Sequence, residues 1–428
     1  MKRNLYHLIS LGCSKNLVDS EVFAGITECY GYQYTDEIDK ADLIIINTCG
    51  FINDAKEEAI QTILDSSMWK ENGKCRKLVV TGCLVKRYKS ELEQLIPEVD
   101  DWIDLKDFTG FETLFPEVLE CDVPRKILTP SHYAYLRISD GCNNWCSYCA
   151  IPAIRGKLTS EPIEVLVEEA KRLAGKGVRE LILTAQDTTR YGEDLYGESH
   201  LSELLEALHE IEDIRWIRLL YLHPNRITEK LIDTIAALPK VCRYFEIPIQ
   251  HISNTILKSM NRGNTKENIT TTLDMIRSRI PDAVLRTTLL VGFPGETVKH
   301  YEELKQFIIE QRFGRLGVFT YSAEEGTAAA KKSHSVSHKI AQERKDELMQ
   351  IQQEISSAFL ASFVGRKLDV MIDGKSDLPE YKWIGRTYFD APEIDGKVYL
   401  EQGSFKPGDI VKVKIIDNWE YDLIGIKK

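Results

Sequence analysis

Three cysteines lie within eight residues of one loop in the middle of the chain. Cys142, Cys146 and Cys149 follow a predicted strand and have the spacing C-x-x-x-C-x-x-C. Thiolates at this spacing bind soft metals such as zinc or the irons of a cluster. A zinc ribbon needs a fourth ligand nearby, but the next cysteine in the chain is Cys242. The loop therefore favours a 4Fe–4S cluster with three protein ligands and one open iron that a substrate or cofactor can chelate.

Another three cysteines follow short apolar segments in the first 120 residues. Each comes directly after a predicted strand: Cys13 after 5–11, Cys49 after 43–47 and Cys83 after 78–81. Amphipathic helices are predicted to follow them at 18–30, 55–69 and 89–95. This alternation predicts a doubly wound, mostly parallel sheet, in which the carboxyl ends of neighbouring strands face one crevice. We expect the three thiols to converge there, with helix N-termini that favour their thiolate forms.

No local fourth ligand completes a tetrahedral zinc site for these early thiolates, so they also suit an iron–sulfur cluster with one open iron. The alternative is that they are small buried hydrophobic residues, since free cysteine is often buried. The other cysteines show no pattern and are interpreted as structural: Cys29, Cys75, Cys121 and Cys242. Ten cysteines in a chain with no recognisable export signal indicate a reducing compartment, and we expect a cytoplasmic location.

Strand and helix patterns alternate through the middle of the chain. Six strands are predicted, at 135–139, 180–185, 216–222, 244–249, 284–291 and 315–321, with helical patterns between them. Six β/α units predict a partial barrel related to the eight-fold form, with functional groups at the carboxyl ends of its strands. The cysteine loop follows one such end. The candidate cofactor contacts are Tyr148 in this loop and four residues after other strands: Gln186, Gln250, Gly292 and Gly295.

The last part of the chain follows a helix predicted at 339–363 and has a different pattern. Five short strands are predicted between turns that contain Gly, Pro and Asp, at 368–372, 381–388, 397–400, 409–416 and 421–426. This pattern predicts a small barrel of the oligonucleotide-binding type. Residues 365–428 hold 11 lysines and arginines against 12 aspartates and glutamates. Because an RNA-binding version should be clearly basic, we favour a role in protein recognition.

Composition and charge limit the function classes further. The 428 residues carry 55 lysines and arginines against 66 aspartates and glutamates, a net charge of −11. This charge disfavours non-specific binding to nucleic acid and fits a basic partner. No apolar run approaches the roughly 20 residues of a membrane span. The length predicts roughly three domains, which we place at 1–122, 128–362 and 363–428.

The loop 142–149, with Tyr148 before its last cysteine, resembles the signature of radical S-adenosylmethionine (SAM) enzymes. Over nearly its whole length the chain resembles the radical SAM methylthiotransferases, and within them the RimO-type enzymes. The supporting runs are LGCSKN (11–16), VDSE (18–21), NTCGFI (47–52) and YSAEEGT (321–327). The sequence departs from this family at Ser160 and Glu161, where relatives tend to have Ser-Arg. This departure puts a local contact in doubt but not the cluster.

The resemblance implies an α/β fold with three parts: an N-terminal doubly wound domain, a central partial (β/α)6 radical-SAM barrel and a C-terminal small β-barrel of the TRAM, OB-like type. It implies two 4Fe–4S clusters. One would be bound by Cys13, Cys49 and Cys83 and would deliver sulfur. The other would be bound by the loop cysteines and would hold SAM, which Tyr148 and the four strand-end residues would contact.

The implied reaction is methylthiolation of the β-carbon of an aspartate in small-subunit ribosomal protein twelve. The implied partners are this protein and an electron donor such as flavodoxin or ferredoxin, without a membrane and without specific RNA recognition. Three alternatives stay open on the sequence: methylthiolation of a tRNA adenosine, a non-catalytic iron–sulfur or zinc protein that binds RNA, and a radical enzyme whose other cluster only transfers electrons.

Overall fold

The computed structural model describes residues 4–115, 125–333 and 335–427. Cys121 and the predicted domain limit at residue 122 lie outside these ranges. Within them, no helix is both long and apolar enough to cross a membrane.

A five-stranded parallel sheet forms the N-terminal region, with strand order β2-β1-β3-β4-β5. Its elements are β1 (Leu5–Ser10), α1 (Ser14–Cys29), β2 (Gln33–Tyr34), β3 (Leu43–Thr48), α2 (Asn53–Ser67), α3 (Trp69–Asn72), β4 (Lys77–Gly82), α4 (Cys83–Leu95), β5 (Asp101–Trp102) and α5 (Phe108–Glu112). Strand β3 is buried along its whole length, because helices cover both faces of the sheet. The strand order reverses between β1 and β3, which opens a ligand crevice at their carboxyl ends.

Helices α1 and α4 begin earlier than the sequence predicts. The predicted starts are residues 18 and 89, whereas the helices begin at Ser14 and Cys83. The reason is the turn that precedes each of them. Gly12 and Gly82 adopt left-handed φ angles of 88° and 105°, so the chain passes from strand to helix almost without a connecting loop.

The central region is a partial barrel of six parallel strands in two sheets, ordered β10-β9-β6 and β11-β12-β13. A parallel bridge between Ile217 and Val241 joins the two sheets. Its elements are β6 (Tyr133–Arg137), β7 (Ser139–Asp140), α6 (Ile151–Arg155), β8 (Thr159–Ser160), α7 (Ile163–Gly175), β9 (Glu180–Thr184), α8 (Glu193–Tyr196), α9 (Leu201–His209), β10 (Trp216–Leu219), α10 (Glu229–Ala237), β11 (Tyr244–Glu246), α11 (Asn254–Ser259), α12 (Lys266–Arg279), β12 (Val284–Val291), α13 (Val298–Gln311), β13 (Arg315–Thr320) and α14 (His338–Ala361). The prediction of a partial (β/α)6 barrel is confirmed.

The C-terminal region is a closed five-stranded barrel with strand order β14-β15-β16-β18-β17. Its strands are β14 (Lys367–Lys375), β15 (Trp383–Arg386), β16 (Val398–Leu400), β17 (Ile410–Asn418) and β18 (Leu423–Lys427). This small barrel packs against the amino ends of the central strands, where Tyr133 and Trp216 share an apolar cluster with Phe389. The carboxyl ends of the central strands therefore remain for the N-terminal region, with which they make a contact through Ser14 and Thr184, whose hydroxyl oxygens are 3.0 Å apart.

Candidate functional site

A cavity of about 330 Å³ lies between the N-terminal region and the carboxyl ends of the central strands. All six cysteines of the two predicted sets line it: Cys13, Cys49, Cys83, Cys142, Cys146 and Cys149. All six are free thiols. The sheet topology predicts that each set converges, and the structure adds that the two sets face one common space.

Two glycines let the N-terminal thiols approach one another. A Cβ atom on Gly12 would lie 2.8 Å from Cβ and 3.0 Å from Sγ of Cys49. A Cβ atom on Gly82 would lie 2.4 Å from the carbonyl oxygen of Thr48. Because both φ angles are also left-handed, glycine is the residue that fits each position. The glycines that precede Cys13 and Cys83 are therefore part of the site.

Burial controls the acidity of these thiols in the absence of a metal. It raises the pKa of Cys49, and it raises the pKa of Cys83 to about 12. In the central loop it raises the pKa of Cys142, and that of Cys149 to about 12. The backbone N–H groups of Phe51 and Gly50 lower the pKa of Cys49, and the charge of Arg155 lowers that of Cys83, but loss of hydration outweighs both effects. Deprotonation of these thiols needs the charge of a bound metal.

An arginine lies beside one thiol of each set. The guanidinium of Arg155 is 3.8 Å from Sγ of Cys83, and that of Arg262 is 3.6 Å from Sγ of Cys146. Both side chains line the cavity. Positive charge beside a buried sulfur stabilises its thiolate, so each arginine is positioned to support an anionic, sulfur-ligated group.

Several predicted cofactor contacts also line the cavity. Tyr148, Gln186 and Gln250 do so, and the amide nitrogen of Gln186 donates to Asp140 at 2.9 Å. Gly292 and Gly295 are not among the lining residues. The backbone N–H of Gly292 donates to Glu296 at 2.8 Å, and a Cβ atom there would lie 2.5 Å from the Cβ of Ala341 in α14. The structure thus gives Gly292 a packing role, and its contact with a cofactor stays a prediction.

Unpartnered polar atoms mark the cavity as a site for a polar ligand. Four buried atoms of its lining residues have no hydrogen-bond partner within the described part of the chain: Asn144 Oδ1, Gln186 Oε1, His223 Nδ1 and Arg262 Nε. Burial, with the charges of Arg262, Arg226 and Arg190, lowers the pKa of His223 to about 2, so its ring is neutral. Buried polar groups are normally hydrogen-bonded, and these atoms fit a ligand such as SAM.

The thiol arrangement itself fits clusters better than a single ion. Among the described residues, no three His, Cys, Asp or Glu side chains are grouped so that they could share one metal ion. Thiolates that bind a 4Fe–4S cluster each contact a different iron and need not meet at one point. The donor set of each trio is therefore compatible with a cluster that keeps one iron open.

Backbone strain is concentrated around the same space. Trp145, Tyr221 and Gln250 have left-handed φ angles of 51°, 61° and 69°, and all three line the cavity. Such conformations cost about 1–3 kcal/mol each and persist where the surrounding structure imposes them. Sequence reasoning included Gln250 but missed the other two, because no local pattern indicates a left-handed non-glycine residue.

Sequence reasoning also missed the positively charged residues of the cavity, namely Lys15, Arg155 and Arg262. Arg155 carried one usable signal: it ends a short helix that starts with a proline directly after the cysteine loop. Of the other cysteines, Cys29, Cys75 and Cys242 lie in the described part of the chain, and none of these three lines the cavity. Cys75 and Cys242 are buried, and Cys29 ends α1, which agrees with their structural interpretation.

Family models and solved structures define the class of the protein. Residues 5–104 match the uncharacterized protein family UPF0004, residues 136–308 the radical SAM superfamily, and residues 364–426 the TRAM domain. The radical SAM methyltransferase TsrM from Kitasatospora setae, solved with cobalamin and a [4Fe-4S] cluster bound, has a TM-score of 0.53 at 14% identity over 75% of each chain. The cobalamin-dependent enzyme OxsB has a TM-score of 0.53 at 13% identity over 83% of this chain and 56% of that chain. These likenesses show the fold, and the family match places residues 136–308 in the radical SAM superfamily.

Full-length relatives identify the family. The chain is 45% identical over 434 residues to the ribosomal protein uS12 methylthiotransferase RimO of Clostridioides difficile, with 98% of this chain and 97% of that protein covered. It is 46% identical over 425 residues to the RimO protein of Aquifex aeolicus, with 98% and 96% covered. The chain belongs to the RimO family of radical SAM methylthiotransferases. The predicted family and fold class are confirmed.

Proposed function

We propose that this protein attaches a methylthio group to the β-carbon of an aspartate in ribosomal protein uS12. The observation that carries the proposal is the single cavity lined by two sets of three cysteines. The hydrogen to be replaced is bound to an unactivated carbon. Neither acid–base nor nucleophilic side chains can remove this hydrogen. The relatives named uS12 methylthiotransferases, matched over nearly the whole chain, support the choice of substrate.

In this proposal each cysteine set holds one 4Fe–4S cluster. Cys142, Cys146 and Cys149 bind the cluster that holds SAM, and Cys13, Cys49 and Cys83 bind the cluster that holds the sulfur to be transferred. When bound, the clusters and SAM supply the electron transfer, hydrogen abstraction and sulfur delivery that side chains cannot provide. Because both sets of thiols line one cavity, the groups that they would hold would share the same space.

The chain's own residues orient these groups and keep water out. Arg155 and Arg262 place positive charge within 4 Å of one sulfur of each set. Asn144 and Gln186 offer unpartnered carbonyl oxygens, which accept hydrogen bonds from the amino groups of SAM. The small C-terminal barrel packs against the amino ends of the central strands. The small barrel therefore covers the ends of these strands that lie opposite the cavity.

The partners follow from the same assignment. The net charge of −11 favours association with a basic ribosomal protein. A one-electron donor such as flavodoxin or ferredoxin is predicted to reduce the SAM-binding cluster, and the reaction is predicted to take place in the cytoplasm. The small barrel contributes protein recognition in this proposal. Trp383 and Phe389 are buried in its core, whereas Trp419 and Tyr421 are 36% and 40% exposed. Trp419 lies beside Tyr381 and Tyr399.

The substrate is tested by assaying purified uS12 and tRNA side by side. The anaerobically reconstituted enzyme receives SAM, sulfide and a strong reductant, and both products are analysed by mass spectrometry. We expect one methylthio group in place of one hydrogen on an aspartate of uS12. Product on tRNA alone overturns the proposed substrate. A uS12 product without sulfur means that the cluster bound by Cys13, Cys49 and Cys83 only transfers electrons.

The cofactors are tested separately by iron and sulfide analysis. Two clusters correspond to about eight irons and eight sulfides per chain. Replacement of Cys13, Cys49 and Cys83 by Ala should remove about four irons. SAM cleavage by the cluster in the loop 142–149 should stay intact. Cys75→Ala is the matched control, because this buried cysteine is outside the cavity and its loss should leave about eight irons. Zinc without sulfide in the unmodified enzyme excludes the radical mechanism.

A further inference from the structure

Lys15 brings a buried positive charge into the cavity. Its side chain is only 6% exposed and is part of the cavity lining. It extends from the first turn of α1 to the end of the central strand β10, where Nζ lies 3.5 Å from the ring centroid of Tyr221. Lys15 thus crosses from the N-terminal region to the mouth of the central barrel.

This ammonium group forms no ion pair with any carboxylate in the part of the chain that the structure describes. The acidic residues nearby already have partners. Glu246 pairs with Arg286 at 3.1 Å, and Asp19 pairs with Arg155 at 2.9 Å. A buried ammonium without a carboxylate is costly, and contact with one aromatic ring offsets only part of that cost. Lys15 is therefore a cation that lacks its anion.

The residue whose ring contacts Lys15 has a strained backbone conformation. Tyr221 has a left-handed φ of 61°, and its backbone N–H donates to the carboxylate of Glu246. The ring is thereby fixed under the ammonium group. Strain of this kind is usually retained where it positions a functional group, so the place of the charge in the cavity is itself specified.

Two anions could reach Lys15: the thiolates around Cys13 and a carboxylate of the substrate. The N-terminal thiols already have a guanidinium, since Arg155 lies 3.8 Å from Cys83. Lys15 instead reaches away from α1 to Tyr221 at the mouth of the central barrel, into the space that both cysteine sets line. This direction favours the substrate.

We propose that Lys15 binds the side-chain carboxylate of the substrate aspartate and thereby places the adjacent β-carbon between the two cysteine sets. The inference rests on the proposed function and adds the group that selects the residue type. A compact ammonium donates hydrogen bonds to the oxygens of a carboxylate, but it offers no acceptor for the amide nitrogen of asparagine. Lys15 therefore makes the site selective for aspartate over its neutral isostere.

The test measures binding and does not depend on turnover. Titration calorimetry under anaerobic conditions compares uS12 with a uS12 variant in which the modified aspartate is asparagine. The unmodified enzyme should bind uS12 between about tenfold and about a hundredfold more tightly than the asparagine variant. Lys15→Met should abolish this preference, and Lys15→Arg should restore part of it. Lys86→Met is the control, because this lysine is exposed on α4 and its removal changes the net charge equally.

Two results overturn the inference. One is a Lys15→Met enzyme that keeps the full preference for aspartate. The other is a Lys15→Met enzyme that loses about four irons. This loss would mean that Lys15 stabilises the cluster bound by Cys13, Cys49 and Cys83. Failure of the proposed function looks different, since the unmodified enzyme with about eight irons would then leave uS12 unmodified. Iron content and the calorimetric preference are measured on the same preparations.

Discussion

The distance between two atoms decides whether residue 12 can be anything but glycine. A methyl group at this position would meet Cβ and Sγ of Cys49 at 2.8 Å and 3.0 Å. Both atoms belong to the short side chain of Cys49, so neither is the flexible end of a long side chain. Close approach of the Cys13 turn to Cys49 therefore depends on the absence of one carbon atom.

We expect Gly12→Ala to cost the protein its N-terminal cluster. Iron content should fall from about eight to about four per chain, because the added methyl group pushes the Cys13 turn away from Cys49. Gly31→Ala is a matched control in the same region. Gly31 also has a left-handed φ, of 82°, but no atom lies within 4 Å of its Cβ position. This control should lose only about 1–2 kcal/mol of stability and keep about eight irons; equal iron loss in both variants would contradict the prediction.

At the residue scale, sequence reasoning found the groups whose spacing is informative. The cysteines were identified because their type and position relative to predicted strands indicate a ligand. Lys15 and Arg155 were missed, because burial of a charged side chain depends on contacts between regions far apart in the chain. Packing is equally invisible in the sequence: Gly292, a strand-end glycine predicted to contact the cofactor, also packs against α14.

At the scale of elements, the short helix α6 connects the cysteine loop to the N-terminal region. Its last residue, Arg155, is 1% exposed and forms ion pairs with Asp19 on α1 and Asp140 on β7, at 2.9 Å and 3.0 Å. Its guanidinium also donates to the side chain of Asn16 at 2.6 Å. One side chain thus holds the element that follows one cysteine set against the elements that carry the other.

We expect Arg155→Met to destabilise the protein by about 3 kcal/mol. Removing one partner from a buried ion pair typically costs 3–5 kcal/mol, and the lower end applies because Asp19 retains Arg137 and Asp140 retains Lys106. The midpoint of urea unfolding measures the change. In the control Arg243→Met, the lost pair with Asp282 is 43% and 53% exposed, and the loss should be below about 1 kcal/mol. Equal shifts in the two variants would show that Arg155 does not join the elements.

Element types were predictable from sequence, whereas several element starts were not. The alternation of apolar strands and amphipathic helices gave the parallel sheets, because each buried strand needs a helix over it. The early starts of α1 and α4 depend on the left-handed backbone of Gly12 and Gly82. A glycine in a sequence permits that conformation without requiring it.

At the scale of the whole molecule, buried ion pairs join the small C-terminal barrel to the central one. Glu180, the first residue of β9, accepts hydrogen bonds from Arg218 and from Arg386 of β15, each at 2.7 Å. Arg386 also pairs with Asp373, and His132 of the central region contacts the same carboxylate at 2.8 Å. The sequence predicted the three regions and their order. The partners that join the two barrels follow no periodic pattern, since Glu180 and Arg386 lie 206 residues apart and His132 and Asp373 lie 241 apart.

These pairs predict how acid affects the docking of the two barrels. Burial alone would raise the pKa of Glu180, but Arg386 and Arg218 outweigh it and hold that pKa below its ordinary value. The pKa of Asp373 is likewise lowered. Burial raises it, but the hydrogen bond with His132 and the charge of Arg386 outweigh burial. The stabilisation is therefore complete above the unfolded-state pKa of about 4. It is lost as the pH falls through the lower folded-state values.

We expect Glu180→Gln to lower the unfolding free energy by about 3 kcal/mol or more at pH 7, because Arg218 loses its only carboxylate among the described residues. The variant should also lose less additional stability than the unmodified protein between pH 5 and pH 3, since one of the two titrating carboxylates is gone. Urea unfolding at a series of pH values measures both effects. Asp369→Asn serves as the control, because its pair with Lys412 is 46% and 68% exposed and contributes little. If the acid profiles of Glu180→Gln and the unmodified protein coincide, the docking of the two barrels does not depend on this carboxylate.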